Sequence, residues 1–191
     1  MESFIRVYDD LFDSSNFIKL IDKGEFFNKT NRYGIESLFV NSVLSLNDVE
    51  IKNEWLKISN SLNKIITNYR DENKIKFNES AGFCLIKNFD LLNTDLHFGK
   101  LDYKNNIFGV ITFLNDDYED GEITFPFLGI KIKPKMGSAI IFPASFPFSY
   151  SIGSVDLKNK KDRFYIINWY YLSSTNHNMI DHTSILPDGV L

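Results

Sequence analysis

The hydrophobic period of this chain changes once, near residue 75, and that change dictates its architecture. From Asp48 to about Tyr69 the apolar residues Val49, Ile51, Trp55, Ile58, Leu62, Ile65, Ile66 and Tyr69 recur every three or four positions. Such spacing puts them on one stripe of an amphipathic helix that must bury that stripe against something. Beyond residue 75 the pattern becomes extended: Phe83 to Phe89, Phe108 to Leu114, Glu122 to Phe125, Ile130 to Ile132, Ser138 to Phe142 and Phe164 to Tyr171 read as strands. Phe127-Leu128-Gly129 and Pro134-Lys135-Met136-Gly137 are turn signals between them. Six strands joined by short turns predict a mainly β (α+β) fold, a two-sheet sandwich of the jelly-roll kind with the helix packed across one sheet.

The N-terminal part supplies the flanking elements. Phe4 to Tyr8 alternates like a short strand, and Ser14-Ser15 offers an N-cap for a helix that places Phe17, Ile18, Leu20 and Ile21 on one face. Between Gly24 and Val49, polar turns around Asn28 to Gly34 precede an apolar stretch from Ile35 to Leu46 that assigns to no single element. With 191 residues, 43% of them hydrophobic, the chain suits one core. The division read from the sequence is one domain over 1–172, with the N-terminal strand and helices at 1–75 and the jelly-roll core at 80–172, then a polar C-terminal extension at 173–191.

Charge and cysteine use narrow the partners. Against 25 acidic residues stand 21 basic ones, a net charge of −4, so there is no positive excess to neutralise phosphates as nucleic-acid binding requires. A small molecule, a peptide or a protein is the expected partner. Cys84 is the single cysteine and sits in the apolar run Gly82 to Ile86, which reads as a buried, inert thiol and excludes a disulfide within the chain. No basic n-region or cleavage site opens the sequence, and no window reaches the ~18 consecutive apolar residues of a membrane span. The expectation is a soluble, cytoplasmic protein with no membrane contact.

The stretch FGVITFLNDDYEDGEITFP, Phe108 to Pro126, resembles the "YLN, then Gly-Gly-Glu-x-x-Phe-Pro" strand and hairpin of prolyl 4-hydroxylase-like oxygenases. Lys133 to Pro143, KPKMGSAIIFP, is similar to that family's "P-K-x-G-x-x-x-x-F" strand, and Arg163 with Trp169 resembles its closing "R-Y-x-x-x-x-W" strand. Three elements in the family's order and spacing identify a resemblance to the 2-oxoglutarate and iron(II) dependent oxygenases, whose fold is a double-stranded β-helix. It implies Fe(II) held by two His and one carboxylate on one face, leaving three positions for 2-oxoglutarate and oxygen.

His97 lies seventeen residues before Leu114, matching the family's first iron ligand. The motif is His97-Phe98-Gly99, so glycine stands at the carboxylate position. Phe148 to Val155 resembles "Y-x-H-x-V-x-P-V" and places Tyr150 at the second histidine. The metal triad is thus incomplete. Arg163 is retained where the family's guanidinium grips the distal carboxylate of 2-oxoglutarate through a fork of donors. Where relatives have a helping tyrosine before "LN", this chain has Phe113, which packs methylenes but donates nothing.

Several readings of these residues stay open. A Gly at the carboxylate position is the pattern of iron halogenases of this fold, which bind chloride there but keep both histidines. Asp95, two residues before His97 and on the same face if that segment is extended, and Asp102 are carboxylates that would rescue the metal. His177 and His182 have the H-x4-H interval of half a zinc site, but lack a cysteine pair and read as surface residues of the tail. Asp116 to Gly121 superficially resembles a calcium loop, fails the pattern at Tyr118, and reads as a hairpin turn. Arg163 itself has the plain reading of a surface cation at a strand end. Two function classes follow: an atypical oxygenase, using 2-oxoglutarate and Fe(II) to hydroxylate a peptidyl or small-molecule substrate, and a non-catalytic relative that keeps the fold as a binding or assembly module with no cofactor.

Overall fold

The computed structural model describes residues 4–23, 28–30, 35–40, 48–77, 79–80, 82–88, 106–153, 155 and 162–171. Its elements in chain order are β1 (Arg6–Tyr8), α1 (Ser15–Lys23), β2 (Asn28–Thr30), β3 (Ile35–Phe39), α2 (Val49–Glu72), β4 (Glu79–Ser80), β5 (Cys84–Asn88), β6 (Asn106–Phe113), β7 (Ile123–Phe125), β8 (Ile130–Ile132), β9 (Ser138–Pro143), β10 (Ser151–Ile152) and β11 (Arg163–Tyr171). A 3-10 turn at Phe146–Phe148 precedes β10. The antiparallel strands form a large sheet in the order β1-β9-β6-β11-β5-β3-β2, with β4 also on β11, and a small sheet in the order β10-β7-β8. The jelly roll expected from the strand count is present.

Period-2 alternation splits the side chains of the large sheet between two cores. Phe108, Val110 and Leu114 of β6 and its end, Ala139 and Ile141 of β9, and Phe164, Ile166 and Tyr170 of β11 join Phe17, Ile21, Trp55, Ile58 and Leu62 of the helices. Their neighbours Ile111, Phe113, Ile140, Phe142 and Tyr165 point the other way and meet Ile123, Phe125, Tyr150 and Ile152 of the small sheet. Covered on both faces, β6, β9 and β11 have the near-continuous apolar sequences that such strands need. Each large side chain fully buried this way contributes roughly 1.5–3 kcal/mol.

Helix α2 follows the predicted stripe, except that Val49, in its first turn, is exposed. Asp48 caps it, its Oδ1 accepting from Glu50 N at 2.9 Å and Ile51 N at 3.0 Å. At α1 the cap differs from expectation. Asp13 accepts from Ser15 N at 2.8 Å, while the Ser14 hydroxyl donates across the molecule to the Leu114 carbonyl and ties α1 to the end of β6.

Two readings of the sequence change. The segment Asp116 to Gly121 is no hairpin turn: β6 pairs with β9 and β11 whereas β7 pairs with β8 and β10, so this segment carries the chain from the large sheet to the small one. The hairpin is the next connection, between β7 and β8. Cys84 is partly exposed on the inner side of β5 rather than buried. Among the described residues no helix is long and apolar enough to cross a membrane. The extension at 173–191 lies outside the described residues.

Candidate functional site

Arg163 opens β11 and is 1% exposed, so the reading of a surface cation at a strand end is wrong. Its position follows from the alternation of β11, in which residues 163, 165, 167 and 169 face the space between the sheets. Along that face exposure grows: Arg163 and Tyr165 are buried, Ile167 and Trp169 partly exposed. Arg163 thus stands at the buried end of this face.

The guanidinium has unusual company. Nη1 donates to the Gly153 carbonyl at 2.8 Å and, at 3.4 Å, to that of Gly121. The group stacks over the Tyr165 ring with Cζ 5.2 Å from its centroid. Nε is buried with no hydrogen-bond partner, and among the described residues no carboxylate lies within ion-pair distance of Arg163. Burying a cation without a counter-ion is costly, so an anion brought here would relieve that cost.

Asn115 holds this arginine in place. Its Nδ2 donates to the Asp162 carbonyl at 2.7 Å and to Asp117 Oδ1 at 2.8 Å, while its Oδ1 accepts from Phe164 N at 2.7 Å. The backbone is gripped on both sides of Arg163 by one side chain. Lys87 adds an ion pair to Asp162 at 3.0 Å and another to Asp22 of α1 at 2.7 Å. Tyr118 lies in the β6–β7 connection, buried, its hydroxyl unpartnered. Burial pushes that phenol well above its ordinary range, so it remains a donor.

Gly121 makes the crowding tolerable. A Cβ there would sit 2.8 Å from Arg163 Nη1 and 3.0 Å from Tyr118 Cε2, and its φ of +72° is one that side chains rarely adopt.

Of the residues expected at the site, Phe113 and Tyr150 are both in the inter-sheet cluster with Tyr165. Phe113 is buried on the inner face of β6, opposite Tyr165 in the strand register. Tyr150 is packed against the rings of Phe142 at 5.1 Å and Phe125 at 6.1 Å. His97, Gly99, Asp95 and Asp102 lie outside the described residues, as do His177 and His182. Among the described residues no three His, Cys, Asp or Glu gather where they would hold a metal ion.

The donor set decides how the implied groups fit. A tyrosine binds iron well as phenolate, but burial drives the Tyr150 phenol far upward, and a neutral phenol among aromatic rings is a poor partner for ferrous ion. Gly99 has no side chain to offer. The buried Tyr150 phenol does not fit a ferrous ligand. A carboxylate fits the other end, because Arg163 has charge and a donor to spare.

Asn115, Tyr118 and Gly121 escaped the sequence reading as site residues. Asn115 was in view as half of the "LN" pair, but its grip on residues 162 and 164 joins positions nearly fifty apart.

No protein-family model matches the chain, and no curated protein matches it. Solved structures do. A prolyl hydroxylase from Trichoplax adhaerens, in complex with a hypoxia inducible factor oxygen degradation domain peptide fragment, superposes with a TM-score of 0.69 at 10% identity, over 88% of this chain and 83% of that one. The viral collagen prolyl hydroxylase of Paramecium Bursaria Chlorella virus-1, in its 2OG complex, gives 0.63 at 17% identity, over 90% and 97%. An oxidoreductase of the 2OG-Fe(II) oxygenase family from Burkholderia pseudomallei gives 0.60 at 11%, over 89% and 85%. Sheet order, the inward-facing closing strand and these superpositions agree: the chain has the jelly-roll fold of the 2-oxoglutarate and iron(II) oxygenases.

Proposed function

We propose that this is an oxygenase-like protein that binds 2-oxoglutarate, distal carboxylate on Arg163, and serves as a binding module without a conventional iron centre. One observation carries the reading: a guanidinium 1% exposed, with Nε unpartnered and no described carboxylate to neutralise it. A dicarboxylate bound between the sheets would supply the missing charge, and the rings of Phe113 and Tyr165 would cover its methylenes. The test is calorimetric titration of the pure protein with 2-oxoglutarate. Saturable binding in the wild type, abolished in Arg163→Gln, is expected; no binding heat in the wild type sinks the reading.

A second reading is favoured by His97, which keeps the family's spacing to Leu114. It is a hydroxylase of a peptidyl or small-molecule substrate whose iron is held through His97 with Asp95. Fe(II) and 2-oxoglutarate mixed with the protein in the absence of oxygen separate the two. A charge-transfer absorption band with later succinate release favours the hydroxylase, and a colourless complex favours the module. With a net charge of −4 the partner is a small molecule or a peptide rather than a nucleic acid. The compartment we assign is the cytoplasm.

A further inference from the structure

We infer that Tyr118 is a second donor to the anion gripped by Arg163, reaching the site from the β6–β7 connection rather than from the strand position that Phe113 occupies. The inference rests on the reading of Arg163 as a carboxylate anchor and adds the residue that completes it.

Two buried polar groups, Arg163 Nε and the Tyr118 hydroxyl, lack partners, and they belong to side chains that flank one glycine. Those side chains come within 2.8 Å and 3.0 Å of where its Cβ would be. Orphaned buried donors destabilise a fold, so two of them around one glycine call for an acceptor. Arg163 is itself positively charged and has no acceptor, so the missing partner is an anion or neutral acceptor rather than a cation. A single guanidinium balances one negative charge, and its surroundings are the rings of Tyr165 and Tyr118 with the carbonyls of Gly121 and Gly153, which would repel a second negative charge. The fitting guest is a carboxylate, bound by the arginine fork on one side and by a neutral phenol on the other. Phe113 offers no hydroxyl; Tyr118 takes over that task.

The test compares wild type, Tyr118→Phe and Arg163→Gln by titration with 2-oxoglutarate, succinate and inorganic phosphate, alongside urea unfolding of each without ligand. Tyr118→Phe should bind both dicarboxylates about tenfold or more weakly, as expected for loss of one hydrogen bond to a charged group. Without ligand it should unfold at the same or a higher urea concentration than wild type, because an orphaned hydroxyl has been removed. A residue of merely structural importance would not move these two readouts in opposite directions. Wild-type affinity in Tyr118→Phe, while Arg163→Gln has lost binding, overturns the inference and leaves the anchor standing. Failure of the wild type to bind either dicarboxylate overturns the anchor itself. Phosphate binding as tight as succinate overturns the assignment to carboxylates. A measurement needing no variant is the ultraviolet difference spectrum of the wild type: saturation with 2-oxoglutarate should perturb tyrosine absorption, and an unchanged spectrum overturns the inference.

Discussion

Asn115, just past the end of β6, makes three hydrogen bonds, two of which hold the backbone on either side of Arg163 while the third goes to the Asp117 carboxylate. Losing the grip frees Phe164 N and the Asp162 carbonyl together. Asn115→Ala should therefore destabilise the protein by about 1–3 kcal/mol in urea unfolding and also weaken 2-oxoglutarate binding. Asn115→Asp is the finer probe. It keeps an acceptor for Phe164 N, lacks the donor for Asp162, and sets a new carboxylate beside Asp117, so it should do little better than alanine. Arg163 should behave differently. The cost of burying its unpaired charge and the worth of its bonds to the Gly153 and Gly121 carbonyls offset each other, so Arg163→Met should change urea stability by no more than about 2 kcal/mol while abolishing binding. Destabilisation beyond that by Arg163→Met would mean that the arginine has a counter-ion and that the site is structural.

At the scale of elements, legibility in the sequence followed length. Helix α2 and the strands β6, β9 and β11 were readable because each repeats its period several times, and a stripe or an alternation of that length has one solution. Strand β10 has two residues and β4 two, too few to show any period. The β6–β7 connection was misread as a hairpin because acidic and glycine residues between two strands look the same whether the chain turns back or crosses to another sheet; only pairing partners distinguish them. Gly109 shows a contact no pattern reveals. It stands inside β6 because the Trp169 ring of β11 lies over it, and a Cβ would come within 2.6 Å of that ring. Gly109→Ala should cost about 1–3 kcal/mol and alter the tryptophan fluorescence of the native state. At the start of α2, Asp48→Ala should cost about 1 kcal/mol, since two backbone N–H groups lose their acceptor.

On the scale of the whole molecule, the sequence placed Arg163 at the end of a strand, but whether that end was surface or interior depended on a small sheet contributed by residues 123–152. Phenols are buried in both cores, and this makes the fold sensitive to alkali. Tyr69, fully buried under the N-terminal strand and donating to the Phe4 carbonyl at 2.9 Å, has its pKa pushed up from 10 to about 12, first by burial and then by the nearby Tyr8. Tyr118, Tyr150, Tyr165 and Tyr170 are raised as well, chiefly by burial. A phenol that holds its proton more tightly when folded contributes stability that is complete below pH 10. As pH rises from 10 towards 12 the unfolded chain releases the proton and the folded one does not, so that contribution drains away, on the order of 3 kcal/mol for Tyr69 alone. Tyrosinate absorption followed with far-ultraviolet circular dichroism should show a first, non-cooperative ionisation of exposed tyrosines with the fold intact. A second step should coincide with loss of structure. Tyr69→Phe should lower stability near pH 7 by about 1 kcal/mol, the value of its hydrogen bond, yet flatten the fall above pH 10. If all the tyrosines titrated together near pH 10 with the structure retained, the phenols would be in contact with water and the closed interior that holds Arg163 would not exist.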